Sequence, residues 1–268
     1  MTVVDQAGYE QIRNWLSDRC GINFADNKQD LLRQRLARVT RRFEYRDLNS
    51  LARDLLNNPR QDVELAVMHA ASTNHTYFFR EPEVLDNFKS LIIPKLAERP
   101  EMRVWSAAAS TGDEAYTVVI MIAEALGMNA LKRLKILGTD ISEPVVQRAE
   151  MGVFPTRQFA HTDPMILRRY FEPTGMDQYR VRPELRDCCT FRRMNLKARP
   201  YPFIHPFQVV FCRNILYYFD RADQIGTLEA IYDATEPGGW LITSVTESLR
   251  DLGSRWEPVA AGIYRRPA

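Results

Sequence analysis

The stretch MRVWSAAASTGDEAY, residues 102–116, changes character halfway along. Its first half, 102–108, is an apolar run of the length expected for a buried parallel strand. From Asp113 the pattern turns helical, with acidic residues in the first turn, where the helix dipole favours them. A strand feeding directly into a helix is half of a βαβ unit, and the other half follows at once. Residues 135–141 read as a strand and 143–151 as a helix entered after Ser142, a residue type suited to cap it. Further on, FQVVFCR (207–213) is a third buried strand. Residues 240–245 form another, introduced by Gly238-Gly239, and 262–265 an edge strand. This alternation implies an α/β, doubly wound (Rossmann-like) sheet.

The rest of the chain reads differently. The first 70 or so residues contain one proline, Pro59, and resolve into short amphipathic helices. Over 28–46, Leu32, Leu36, Val39 and Phe43 fall on one stripe, the expected buried face. Arg35, Arg38, Arg42 and Arg46 recur beside it as a basic flank. A solvated flank whose aliphatic stems cover the core edge and a docking surface for an acidic partner are equally compatible with that pattern. The polar run 72–76, the aromatic Tyr77-Phe78-Phe79 and then Arg80-Glu81-Pro82 mark a linker, with the aromatics expected as packing that anchors it. Residues 155–192, with Arg180, Arg182 and Arg186, resist a βαβ reading and are expected to be an insertion of short strands. The expected division is thus a helical domain 1–72, a linker 73–90 and an α/β domain 91–268 carrying the insertion.

Composition narrows the class. With 268 residues, 45% hydrophobic and 26% charged, the chain can bury a core without metal or disulfide staples. A net charge of +2 offers no global attraction to a polyanion. Cys20, Cys188, Cys189 and Cys212 include no C-x-x-C pair, so a reduced cytoplasmic protein with no metal centre is expected. The longest apolar stretch, 118–126, is too short to span a bilayer, and no membrane insertion is expected.

In a doubly wound sheet, ligands bind beyond the carboxyl ends of the strands. The first strand ends in SAAASTGD (106–113), whose small residues let a ligand approach the backbone but which lacks the dinucleotide G-x-G-x-x-G pattern. The second ends in Gly138-Thr139-Asp140, where an acidic side chain can accept from ribose hydroxyls or merely cap the next helix. The third ends in Cys212-Arg213-Asn214, with Tyr217 and Tyr218 beyond; one of the two tyrosines is expected in the core.

Taken in order, TNHTYFFRE (73–81), VWSAAASTGDEAY (104–116), GTDIS (138–142), FQVVFCRNILYYFD (207–220) and Thr246-Glu247-Ser248-Leu249 closely resemble the CheR family of S-adenosylmethionine (SAM)-dependent chemoreceptor glutamate methyltransferases. Asp113 stands where that family usually has Glu, Ala115 where it has Pro, Ser142 where a second Asp is common, and Val245-Thr246 where His-Ser is frequent. The resemblance implies a methyltransferase sheet with a small antiparallel β-subdomain, preceded by an all-α domain. It also implies SAM as cofactor and S-adenosylhomocysteine (SAH) as product. By the same resemblance Arg80 and Tyr218 reach the methyl-transfer point. Asn74, Thr76 and Arg80 contact the amino-acid end of the cofactor, Asp113 its charged end, Asp140 the ribose and Asn195-Leu196 the adenine, with Cys212, Arg213 and Asn214 completing the wall.

The implied partner is the cytoplasmic helical bundle of a membrane chemoreceptor, to which the protein is recruited and on which Arg35, Arg38, Arg42 and Arg46 would dock. The short loop around Gly175 lacks the glycine-rich insertion of peptide-binding members, so no tight tether to a receptor tail is expected. A regulatory protein could bind the helical or inserted surface. A nucleic-acid methyltransferase is disfavoured, because neither an Asn/Asp-Pro-Pro-aromatic group nor a Pro-Cys nucleophile follows FQVVFC. The remaining alternative is a non-catalytic SAM- or SAH-binding module.

Overall fold

The computed structural model describes residues 3–24, 29–72 and 75–268. Four helices come first: α1 (Val3–Cys20), α2 (Gln29–Arg42), α3 (Leu48–Asn57) and α4 (Gln61–Ala71). They share a core in which Tyr9, Ile12, Leu16, Leu32, Leu36, Leu51, Val63 and Val67 are fully buried. On α2 the expected stripe holds for Leu32, Leu36 and Val39, with Phe43 only half-buried. The helix is shorter than the 28–46 expected, and Lys28 lies outside the described residues. Glu44 takes a left-handed φ of 59° and Tyr45 N–H bonds back to Thr40 O at 2.9 Å, a closure that ends the helix at Arg42. Arg46 therefore belongs to the turn before α3, next to Asp47, whose carboxylate and Ser50 form a capping box.

After the linker, α5 (Pro82–Asn87) and α6 (Ile93–Ala97) flank a π-helical turn, Phe88–Ile92. The α/β part then runs β1 (Met102–Ser106), α7 (Asp113–Leu126), β2 (Leu134–Asp140) and α8 (Glu143–Met151). Next come the short β3 (Val153–Pro155), α9 (Pro164–Tyr170), β4 (Phe171–Pro173), β5 (Gln178–Val181) and α10 (Pro183–Arg186). The chain closes with β6 (Cys189–Arg193), β7 (Phe207–Phe211), α11 (Arg221–Ala234), β8 (Thr235–Ile242), β9 (Glu257–Ala260) and β10 (Ile263–Arg265).

One seven-stranded sheet has the order β6-β2-β1-β7-β8-β10-β9; its pairs are parallel from β6 to β8 and antiparallel at β10 and β9. The strand order reverses between β1 and β7, which opens a crevice at their carboxyl ends. The strands 102–106 and 207–211 are buried nearly throughout, as a sheet covered on both faces requires.

Two sequence expectations are corrected here. Residues 263–265 are not at the edge, because β9 pairs outside them; its Pro258 and exposed side chains suit an edge and hide it from a hydrophobicity reading. The insertion of short strands also stops before residue 192. β3, β5 and β4 form a separate antiparallel sheet, whereas Cys189–Arg193 pairs in parallel with β2 and closes the main sheet. Only Phe191 of β6 is buried, and it lies against Gly138, where a Cβ would come within 2.4 Å of its ring. That single inward residue gives an edge strand little apolar signature.

Candidate active site

The crevice holds a cleft that several elements line. One wall is the loop after β1 (Ala107 to Ser110) with Glu114 of α7; the next is Asp140 and Ile141 after β2, with Met194, Asn195 and Leu196 after β6. The linker contributes His75, Thr76, Tyr77 and Arg80, and the segment after β7 contributes Arg213, Asn214, Ile215 and Tyr218. The helical domain closes one end with Cys20, Ile22, Ala71 and Ser72. Asn74 lies outside the described residues.

Backbone strain sits in the linker and in the loops after β1 and β7. Ser110 (φ 49°), Phe79 and Glu81 (both 58°) and Asn214 (59°) are all left-handed, a conformation that persists only where surroundings over-determine it. Asp140 fixes the first: its Oδ2 accepts from Ser110 N–H at 3.0 Å and its Oδ1 from Ser142 N–H at 2.9 Å. Burial pushes the Asp140 carboxyl up to about 6, against the lowering effect of those N–H groups. The carboxylate also accepts from Ile141 N–H, and its remaining lone-pair capacity is open to a ribose hydroxyl. Ser142 precedes α8 as expected but does not cap it through its side chain; its hydroxyl pairs with His69 Nδ1 at 2.6 Å, across the seam between α4 and α8.

The linker is held at both ends. Phe78 is fully buried, stacked on Phe159 at 4.8 Å and edge-on to Phe154 and Phe171, which is the anchoring role expected of the aromatic run. Tyr77 instead lines the cleft, 6.0 Å from the Arg80 guanidinium. Arg80 Nη1 donates to His75 O at 2.8 Å, fixing the plane of its fork. Behind Arg80, Arg213 is nearly sealed from solvent, its side chain 3% exposed. It ion-pairs with Glu114 at 3.0 Å and Glu81 at 3.5 Å and donates to Arg80 O at 2.7 Å.

The Glu81 carboxylate also accepts from Asn214 Nδ2 (2.8 Å), Ser244 Oγ (3.0 Å) and Val245 N–H (3.3 Å). Burial alone would raise the Glu81 carboxyl, but the Asn214 bond, the Arg213 charge and Ser244 outweigh it and hold the group below its ordinary range. Deeper still, Glu247 accepts from the N–H groups of Asn214 (2.7 Å), Leu216 (2.8 Å) and Ser244 (3.2 Å), which shapes the turn carrying Tyr218.

Several expected residues lie elsewhere. Asp113 is fully buried and faces away from the cleft, accepting from Thr111 Oγ1 at 2.6 Å and Gln158 Nε2 at 2.7 Å; Glu114, one residue on, is the carboxylate of α7 that lines the cleft. Cys212 is buried in the core below, its N–H bonded to Ile242 O, while Arg213 and Asn214 line the cleft. Burial raises its thiol well above the ordinary value. Neither Tyr217 nor Tyr218 is a core residue. Tyr217 is 51% exposed and half-stacked on Tyr218 at 4.5 Å, and Tyr218 packs partly buried against the helical domain, its carbonyl accepting from Asn23 N–H at 2.8 Å.

Arg35 is not part of an open basic flank, because its Nη1 donates to Ala70 O (3.2 Å) and Ser72 O (2.9 Å) at the end of α4. Arg38, Arg42 and Arg46 are exposed. Glu81, Glu114, Glu247 and Gln158 were not singled out by the sequence reading. Glu81, Glu114 and Glu247 fall within the segments that resemble the family, and Glu81 also precedes a helix-starting proline while Glu114 lies in an acidic first turn.

Burial holds the Asp113 carboxyl at about 6, against an ordinary 3.8. A raised carboxyl contributes stability that is complete below the lower value and lost as pH climbs to the higher one. In urea melts, Asp113→Asn should therefore gain stability relative to the parent chain between about pH 4 and pH 7, by on the order of 3 kcal/mol. A constant difference across that range would refute the buried charge.

A sheet whose order reverses between β1 and β7, with a carboxylate closing β2 and a cleft across the reversal, has the architecture of a SAM-dependent methyltransferase. The chain belongs to the CheR methyltransferase family. The family's SAM-binding domain matches residues 74–264 and its all-alpha domain residues 7–67. Among its relatives, the chemotaxis protein methyltransferase of Escherichia coli (strain K12) is 33% identical over 264 residues, 97% of this chain and 91% of that protein. The chemotaxis protein methyltransferase of Salmonella typhimurium is 34% identical over 252 residues, 93% and 86% respectively. The residues present suit the cofactor. Asp140 offers acceptors for a ribose, and the paired Arg213 and Glu114 offer one charge of each sign for a zwitterionic amino-acid end. Among the described residues no group of side chains could hold a metal ion, and no helix is long and apolar enough to cross a membrane.

Proposed function

We propose that this chain methylates glutamate side-chain carboxylates of chemotaxis receptors, giving glutamyl methyl esters. The observation that carries the reading is the convergence of Arg80, from the linker, and Tyr218, from the turn after β7, on one cleft with Asp140 and Glu114. When bound, SAM supplies a sulfonium-activated methyl group, whose in-line transfer to a carboxylate oxygen forms a C–O bond as the C–S bond breaks. A glutamate is already ionised at neutral pH, with an ordinary pKa of about 4.3, so no general base is needed. What the residues supply is alignment. The Arg80 fork suits a carboxylate, and the Tyr218 phenol orients it against the cofactor. Thr76, Asp140, Glu114, Asn195, Leu196, Arg213 and Asn214 are the cofactor's contacts under this reading, with Glu114 taking the role first expected of Asp113.

The substrate is proposed to be a receptor's cytoplasmic helical bundle, with Arg38, Arg42 and Arg46 steering an acidic helix toward the cleft. The β4–β5 hairpin closes in four residues, Thr174 N–H bonding Gln178 O at 2.8 Å, so no tight receptor-tail tether is proposed. The test is transfer of labelled methyl from SAM to receptor-containing membranes. The label should be base-labile, and Arg38→Glu with Arg42→Glu should raise the substrate KM about tenfold at low salt while leaving SAH affinity unchanged. Label stable to base would refute an ester, and unchanged kinetics in the double variant would remove the arginines from docking.

A further inference from the structure

We propose that Gln158 is a positioning residue through which the three-stranded subdomain holds two walls of the cleft at once, the linker and the loop after β1. Gln158 sits in the 3-10 turn Thr156–Phe159, outside the cleft lining. Its backbone carbonyl accepts from Phe78 N–H at 3.2 Å, two residues before Arg80. Its side-chain Nε2 donates to Asp113 Oδ1 at 2.7 Å and to Thr111 Oγ1 at 3.3 Å. An amide nitrogen has two N–H donors, and here one is spent on each side of Gly112.

That glycine is closely packed. Its φ is +92°, and a Cβ would come within 3.0 Å of Ala149 Cβ and 3.2 Å of the Phe191 ring. Two residues upstream of Gly112, Ser110 makes its bond to Asp140. A second tie runs parallel: Thr117 Oγ1 donates to Asp113 O at 2.7 Å and accepts from Phe79 N–H at 3.2 Å. The turn is joined to the subdomain hairpin by Thr156 N–H to Asp177 O at 3.1 Å, and the Phe159 ring stacks on Phe78. Gln158 is thus bonded both to the linker that carries Arg80 and to the loop bonded to Asp140, beside the ring packing of Phe154, Phe159 and Phe171 on Phe78.

The neutrality of the amide matters as well as its reach. Asp113 is fully buried, and its neighbours are Thr111, Gln158 and its own N–H, with no charged side chain among the described residues contributing to its shift. A carboxylate at position 158 would face Asp113 with nothing between them to neutralise the pair.

The inference takes from the proposed function only the placement of Arg80 at the methyl-transfer wall. Its first readout, SAH affinity, needs only the cofactor site. Calorimetric SAH titration, thermal melting and methyl transfer are to be compared for the full chain and for Gln158→Ala and Gln158→Glu, near pH 5.5 and near pH 8. Gln158→Ala should weaken SAH about tenfold and lower kcat by a similar factor at saturating SAM. Gln158→Glu should bind SAH about tenfold more weakly near pH 8, where two carboxylates repel. Near pH 5.5, where one proton can be shared across the pair, it should recover to within about threefold of the parent. A Gln158→Ala chain with SAH affinity and kcat both within about twofold of the parent, whatever its melting temperature, overturns the proposal. So does a Gln158→Glu chain whose SAH affinity follows the parent's across the pH range. Loss of receptor methylation by the parent chain, with the SAH pattern intact, would instead count against the assigned substrate.

Discussion

Replacing Arg80 by alanine is expected to lower kcat for methyl transfer by about two to three orders of magnitude while weakening SAH by less than about tenfold. The asymmetry follows from where the guanidinium is anchored. Its Nη1 is tied to His75 O, and its backbone carbonyl to Arg213, so the fork is held before any substrate arrives. The residues proposed to hold the cofactor, Asp140, Glu114 and Arg213, line the cleft independently of the Arg80 side chain. What is lost is the alignment of an incoming carboxylate, which bears on the transition state more than on the resting complex. Arg80→Lys should recover only a small part of the activity, because a point charge cannot replace a planar fork. The measurement is initial rate against SAM concentration with receptor membranes in excess, beside SAH calorimetry. A variant whose full rate returns at saturating SAM would make Arg80 a cofactor ligand alone.

The pattern of what was legible in the sequence follows from how each feature is encoded. β1 and β7 are buried nearly throughout and β2 keeps an apolar centre, and the helices between them carry their own dipole and periodicity signals, so the doubly wound sheet could be read directly. β6 and β9 sit at the two edges and bury almost nothing, so no local signal reported them. The linker aromatics were readable because burial is the default for three such residues in a row, although only Phe78 is fully sealed. Asp113 and Glu114 could not be told apart: both fall in the first turn of α7, and which one faces the cleft depends on the entry angle set at Gly112. The arginines of α2 failed for a related reason. A helical wheel places Arg35 with Arg38 and Arg42, but it carries no knowledge of α4, whose terminal carbonyls take Arg35 out of the surface. Residues that act by satisfying other residues' backbone groups, such as Glu247 and Gln158, leave no periodic or compositional trace.

Glu81→Ala should be among the most damaging single changes in the chain, costing about 3 to 5 kcal/mol of stability together with most of the turnover. The carboxylate joins two strand ends to the linker. It takes donors from Asn214 after β7 and from Ser244 and Val245 after β8, and it faces Arg213 at 3.5 Å. Removing it leaves a guanidinium that is 3% exposed with Glu114 as its one acidic partner, and its Nε already has no acceptor. A buried charge that loses one of its two counter-charges costs more than breaking an exposed pair would. Glu81→Gln separates the two contributions. The amide oxygen can still accept from Asn214 and Ser244, so most of the backbone geometry should survive, while the charge opposite Arg213 is gone and about 1 to 3 kcal/mol should be lost. The pH dependence carries the same signature. Because the folded carboxyl lies below its ordinary value of 4.5, its contribution is present above that value and is lost as pH falls toward the folded one. Glu81→Gln should therefore differ most from the parent near neutrality and least in acid. Arg213 reaches the Arg80 carbonyl, so turnover should fall alongside stability in both variants, more steeply in alanine than in glutamine. A Glu81→Ala chain that melts like the parent and turns over normally would mean that Asn214, Arg213 and the linker hold their places without it.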